Sequence, residues 1–141
     1  MTSDVAADTG VHIGDGHLFI RQNGADTDYS YDVTGNAVDD QLCLLSHVVP
    51  TVERAYDLHK FGVHLDARRT WMYVKFHSKN MALFKHNTLG LPNGRKLNLS
   101  IPQVILHDSR LMKYCAREIL STDGVLGFYT ASKNRPEFRS T

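Results

Sequence analysis

The stretch Asn36-Ala37-Val38-Asp39-Asp40-Gln41-Leu42-Cys43-Leu44-Leu45-Ser46-His47-Val48-Val49-Pro50-Thr51-Val52-Glu53-Arg54-Ala55-Tyr56-Asp57-Leu58-His59 decides the fold class. Val38, Leu42, Leu45, Val49, Val52, Tyr56 and His59 recur at alternating steps of four and three, which lines all seven along one helical stripe. Asn36 or Asp39 can cap its start, and Gly62 can stop it. Pro50 lacks a backbone donor and crowds the turn before it, so either one long helix kinks there or a short first helix ends near His47 and a second starts with Pro50 in its first turn, the kink or break being the expectation.

The flanking sequence has the period of strands. Upstream, His17-Leu18-Phe19-Ile20-Arg21-Gln22 and the alternating Tyr29, Tyr31 and Val33 surround Asn23-Gly24, a hairpin turn signal. Downstream, Met72, Val74 and Phe76 alternate with Trp71, Tyr73, Lys75 and His77, and Met81 to Asn87 reads as a returning strand. After the Pro92-Asn93-Gly94 turn, Leu97, Leu99 and Ile101 alternate with polar residues. Asp108-Ser109 caps a predicted helix from Arg110 to Ser121 ended by Gly124, and Val125 to Ser132 reads as a last strand. The expected fold is α+β: an antiparallel sheet of an N-terminal hairpin, a three-stranded meander and a C-terminal strand, packed on one long kinked helix and one C-terminal helix. Residues 1–11 read as a flexible tail, 12–132 as a single domain and 133–141 as a polar tail.

The chain has 141 residues, enough to bury a core without staples, and its 16 Lys+Arg nearly balance 15 Asp+Glu. That balance conceals a split. Residues 1–66 hold eleven acids and three bases, a net −8, whereas residues 67–141 hold thirteen bases and four acids, a net +9. Such asymmetry predicts a polyanionic partner, or self-association of one copy's basic face with another's acidic face. The candidate anion-binding residues are Arg68, Arg69, Lys75, Lys79, Lys85, Arg95, Lys96, Arg110, Lys113 and Arg117. Trp71 and Tyr73 share the face of Lys75 and are candidates for base stacking, although the pair can equally pack beneath a helix. Arg110, Lys113 and Arg117 form a basic stripe on the last helix, suited to phosphates or a membrane surface.

Catalytic motifs are sparse. The eight histidines lack a CxxC or HExxH partner set, so neither a metal nor any other cofactor is expected. Gly14-Asp15-Gly16 lacks the pattern of a phosphate-cradling loop, and His107 is two helical turns from Cys115, too far for a nucleophile–base pair. Cys43 and Cys115 sit in apolar helical stretches and read as reduced core thiols. The N-terminus carries neither a basic region nor an apolar one, which predicts an intracellular, reducing location, with peripheral membrane contact as one form of anion binding. In element order and size the chain resembles the small matrix proteins of negative-strand RNA viruses. That resemblance implies a structural or accessory protein that polymerises and binds membrane and nucleoprotein.

The resulting expectation is a non-catalytic binding and assembly protein: a homo-oligomer that engages RNA, nucleoprotein or an anionic membrane and takes no small-molecule substrate. Two rivals stand beside it. A small histidine-dependent hydrolase requires two or more histidines converging with an acid or cysteine in one pocket, and an adaptor without an anionic partner requires a mostly neutral surface.

Overall fold

A computed structural model of the chain describes residues 1–97 and 99–123. It is α+β, with a four-stranded antiparallel sheet in the order β1-β2-β4-β3. Helix α1 (Ser3–Asp15) leads into β1 (Gly16–Asn23) and β2 (Asp26–Asn36), a hairpin turning at Gly24, whose φ of 63° suits a residue without a side chain. Next, α2 (Gln41–Cys43) runs through a π-helical turn, Leu44–Val48, into α3 (Val49–Tyr56). The edge strand β3 (Gly62–Leu65) and the inner strand β4 (Trp71–His77) follow. Helix α4 (Lys79–Leu83) continues as a second π turn, Phe84–Thr88. Last come α5 (Gln103–Leu106) and α6 (Ser109–Asp123).

Strand alternation sorts the sheet residues as the sequence implies. Leu18, Tyr31, Val33, Met72, Val74 and Phe76 are buried against the helices. Their neighbours, including Phe19, Arg21, Asp32, Tyr73 and Lys75, form the opposite, open face, because successive side chains point to opposite sides. Asp108 caps α6 as expected: its Oδ1 accepts from the amides of Arg110 (3.0 Å) and Leu111 (3.3 Å).

Four expectations fail. Residues 1–11 are not a tail: Thr2 caps α1, whose residues Val5 to His12 are buried. Met81 to Asn87 is helical because the Ser78 hydroxyl accepts from the Met81 amide (3.1 Å) and starts a helix with Met81, Ala82, Lys85 and Leu89 turned inward. Residues 97–101 form no strand among the described residues, so the fourth strand is β3 instead. The long stripe also narrows. Val38 and Leu42 are exposed, and Asp57 in a left-handed conformation (φ 54°) ends the helix before His59. Pro50 is accommodated in the first turn of α3, directly after the π turn, rather than at a sharp break. The strand expected at 125–132 and the tail at 133–141 lie outside the described residues.

The most extensive helix contact joins α1 to α6. Ala6 clusters with Leu111 and Cys115, Gly10 sits under Cys115 and Glu118, and Asp15 shares a cleft with Ser121 and Thr122. Residue numbers rise together along both helices, so the two run parallel and their C-terminal ends converge. The contact is close enough that a Cβ at Gly10 would stand 2.3 Å from the Cys115 carbonyl oxygen and 2.9 Å from the Glu118 Cβ.

This contact reverses an ordinary rule. Glycine to alanine inside a helix normally stabilises by about 1 kcal/mol. Gly10→Ala is expected instead to destabilise the fold by about 1–3 kcal/mol, because the backbones must separate. Urea unfolding followed by circular dichroism checks this; a midpoint at or above that of the parent chain contradicts the packing.

Candidate functional site

Where α1 and α6 converge, a cleft of about 130 Å³ is lined by Asp15, Thr34, Asp40, Cys43, His47, Glu118, Ser121 and Thr122, among others. Its position follows from the chain path. Asp15 is the last residue of α1, immediately before β1, and Thr34 lies on the open face of β2 opposite Tyr73. The cleft therefore adjoins the open sheet face. The C-terminus of α1 and the Asp15 carboxylate concentrate negative potential there. Lys96 relieves part of it: its ammonium donates to the carbonyls of His12 (3.2 Å), Ile13 (3.2 Å) and Gly14 (3.1 Å) at the end of α1.

Within the cleft, His47 Nε2 lies 3.1 and 3.0 Å from the two oxygens of Glu118, a carboxylate almost wholly buried. Arg117 Nε stands 3.6 Å from the same group. Burial pushes the Cys43 thiol up, and the negative charges of Glu118, Asp40 and Asp15 push it further, so Cys43 is no thiolate nucleophile. Cys43 is also exposed, against the expectation of a core thiol, whereas Cys115 is buried.

Behind the site lies a second polar cluster. Lys85, fully buried, pairs with Asp8 on α1, donates to His12 Nδ1 at 3.1 Å and lies 3.7 Å from the centre of the Tyr31 ring. Tyr31 donates to the other Asp8 oxygen at 2.7 Å. Burial draws the Lys85 ammonium below its ordinary range, and the Asp8 carboxylate opposes that shift.

The ten candidate bases do not form one surface. Lys85 is interior and Lys96 caps α1. Lys75 lies on the open sheet face, Arg68 and Arg69 in the exposed β3–β4 turn, and Lys79 in the first turn of α4. Arg95 borders β1 beside His17 and Phe19, while Arg110, Lys113 and Arg117 are exposed along α6. Folding also interleaves the acidic and basic halves, since Asp8 meets Lys85 inside and Asp32 is in register with Lys75 on the open face.

Trp71 and Tyr73 lie on that open face and not beneath a helix. Trp71 is 54% exposed, while Tyr73 already stacks on His64 at 4.7 Å. Phe19 is likewise engaged, by His17 at 6.3 Å and by the Arg21 guanidinium at 4.7 Å.

Sequence reasoning missed Asp15, His47, Glu118 and Arg21. The available signal was the dipeptide Asp-Gly at 15–16, where a helix closes and a strand opens. Among the described residues no group of three or more His, Cys, Asp or Glu is arranged to hold a metal ion, and no helix is long and apolar enough to cross a membrane.

The fold is similar to solved structures of the homing endonuclease I-DmoI. Mesophilic variants of that enzyme match with a TM-score of 0.65 at 17% identity, over 86% of this chain and 62% of theirs. A variant held on nicked target DNA with manganese gives 0.62 at 19% identity, over 89% and 64%. A complex with DNA and calcium gives 0.61 at 18% identity, over 89% and 60%. The chain thus spans less than two thirds of the length of those proteins. No protein-family model and no curated protein matches the sequence.

These likenesses overturn the expectation of a non-catalytic, self-associating, matrix-like viral protein that engages RNA, nucleoprotein or an anionic membrane. The fold is shared with a DNA-cleaving enzyme seen on its target DNA. The element order behind the matrix resemblance fails as well, because it counted strands at 81–87 and 97–101 and omitted α1. The two converging histidines expected of a histidine-dependent hydrolase are not found in this cleft, where His47 is the one histidine among the described residues. The adaptor rival falls with the same comparison.

The buried cluster makes stability pH-dependent. Burial, then the charge of Lys85, holds His12 well below its ordinary 6.5, so it is neutral in the fold and takes a proton on unfolding. A lowered histidine contributes stability that is present above about pH 6.5 and declines as pH falls below it, by up to about 1.4 kcal/mol per pH unit. His17 is shifted the same way but is only half-buried, so its share is smaller. Urea midpoints between pH 7.5 and roughly pH 5.5 are expected to fall in the parent chain and to flatten in His12→Asn. Parallel curves for the two proteins contradict a neutral His12.

Proposed function

We propose that the chain is the DNA-binding and catalytic part of an endonuclease that hydrolyses phosphodiesters with a divalent cation. The carrying observation is the placement of Asp15. It ends a buried helix, in a cleft shared with Glu118, Ser121 and Thr122 of α6 and adjoining an open sheet face of aromatic, basic and hydrogen-bonding side chains. The similarity in fold to I-DmoI on its target DNA supports the reading.

The residues suit a hard cation. Mg²⁺ is commonly held by one or two carboxylates together with waters and substrate phosphate oxygens, not by a complete protein cage. Asp15 is a carboxylate at the C-terminus of α1, where a cation would relieve the field that Lys96 opposes. A cation bound there supplies Lewis-acid polarisation of the phosphate and a more acidic water. The chain's own part is to hold that carboxylate fixed: Lys96 ties down the last carbonyls of α1, and the Lys85–Asp8 pair anchors the same helix from behind.

Arg21 and Lys75 on the open face, with Arg68, Arg69, Lys79 and Arg95 around it, are the candidates for phosphate contact. Tyr73 and Phe19 are already stacked by neighbouring side chains, which favours a face that lies in a duplex groove over one that intercalates with single strands.

A pool of random-sequence duplex DNA incubated with the chain and Mg²⁺, then sequenced at the cut ends, tests this reading. Selective cleavage is expected. Asp15→Asn should retain DNA binding and lose on the order of 10³-fold in rate. Lys75→Ala and Arg21→Ala should each reduce the slope of log affinity against log salt by about one unit. A chain that neither retains nor cuts any duplex contradicts the proposal.

A further inference from the structure

We infer that His47, oriented by Glu118, is the proton acceptor for the water that attacks the phosphodiester in the Asp15 cleft. The inference rests on the nuclease reading above and assigns a role that reading leaves open. A carboxylate that holds one imidazole nitrogen turns the other into a directed base, the logic by which catalytic histidines are commonly set.

Three observations carry it. First, both Glu118 oxygens lie within 3.1 Å of His47 Nε2, which places the proton of the neutral ring on Nε2 and leaves the Nδ1 lone pair as the base. Glu118 is 5% exposed and the His47 side chain 46% exposed, so the orienting group is shielded while the imidazole is reachable. Second, the cleft of about 130 Å³ that His47 shares with Asp15 has room for a few water molecules. Third, His47 lies in a π turn, a rare bulge that occurs often at functional sites, and its carbonyl is tied by the Thr51 hydroxyl at 2.7 Å. Those constraints fix the backbone from which the imidazole projects.

The charged and titratable groups around the pair are Glu118 and Arg117 from α6, Asp15 from α1, and Asp40 and Cys43 beside the helix that carries His47. Cys43 does not compete for the role, because the same carboxylates disfavour its thiolate.

In the proposed step a water O–H bond breaks and its proton moves to His47 Nδ1. The water oxygen forms a bond to phosphorus, the P–O bond to the departing sugar oxygen breaks, and that oxygen takes its proton from solvent. The Glu118 carboxyl group faces the ring at Nε2 and stabilises the imidazolium that forms.

Two measurements test the assignment on the full chain. In the first, single-turnover cleavage of duplex DNA with Mg²⁺ is followed across pH for the parent, His47→Ala, Glu118→Gln and Asp15→Asn. His47→Ala is expected to lose about 10²–10⁴-fold in rate with unchanged DNA retention, to lose one inflection of the pH profile, and to recover in part with added imidazole. Glu118→Gln should keep that inflection but displace it. Parent-like cleavage and pH dependence in His47→Ala, with Asp15→Asn inactive, overturns the role of His47 and leaves the nuclease reading intact. An inert parent chain overturns both. In the second, ¹⁵N NMR of the imidazole reports the tautomer independently of cleavage. An Nε2-protonated ring that loses this preference in Glu118→Gln supports the pair, and an Nδ1-protonated ring in the parent overturns it.

Discussion

The approach of α1 to α6 at Gly10 governs the arrangement of this chain. A backbone carbonyl stands where the first atom of any side chain would project, so the helices can meet only at a glycine, with Ala6 one turn earlier. Close parallel packing then forces both C-terminal ends to the same side. Unlike the antiparallel pairing common in bundles, this aligns the helix dipoles and gathers partial negative charge at one point. A fold that places Asp15 at that point accepts an electrostatic cost. The cost is opposed by Lys96 and by apolar burial of Leu111, Cys115 and Ile105.

The second constraint is the buried pair of Lys85 and Asp8. A salt bridge in the interior is weak grounds for stability, since desolvation can exceed the attraction. Its geometric effect is firmer. Asp8 accepts from Lys85 and Tyr31 together, and Lys85 also donates to His12 one turn further on, so α1 is gripped at two points by a strand and a π turn. Sliding α1 by even one residue would strand at least one buried polar group. The register of the helix that carries Asp15 is thereby tied to a contact buried in the core.

These two constraints also explain what could be read from the residues alone. Strand β4 was legible because half of it is wet: Met72, Val74 and Phe76 alternate with polar and aromatic partners. Helix α1 was not, because it is covered on several sides and built from small residues, leaving no apolar stripe to detect. Its quieter signals were a threonine cap, an alanine and a glycine four apart, and Asp-Gly at its end. Residues 81–88 misled for a different reason. Lys85 occupies a core-facing helical position that periodicity assigns to an apolar side chain, and only its distant partner Asp8 makes that tolerable. The site was illegible in the same way. Asp15, His47 and Glu118 are far apart in sequence, and the close helix contact that joins them is itself invisible in periodicity.

The split charge found along the chain acquires a different meaning once folded. If affinity for a polyanion were the only requirement, the open face would carry bases alone. Instead Asp28 lies 3.5 Å from His77, and Asp32 lies 3.8 Å from His17 with Lys75 opposite it in register. Burial raises the Asp32 carboxyl, and His17, Lys75 and Arg21 oppose the shift. Acids set between bases weaken general attraction to phosphate, but they accept hydrogen bonds from the exocyclic amines of bases in a groove. Interleaving thus exchanges affinity for discrimination, because a wrong base leaves a carboxylate desolvated and unpaired.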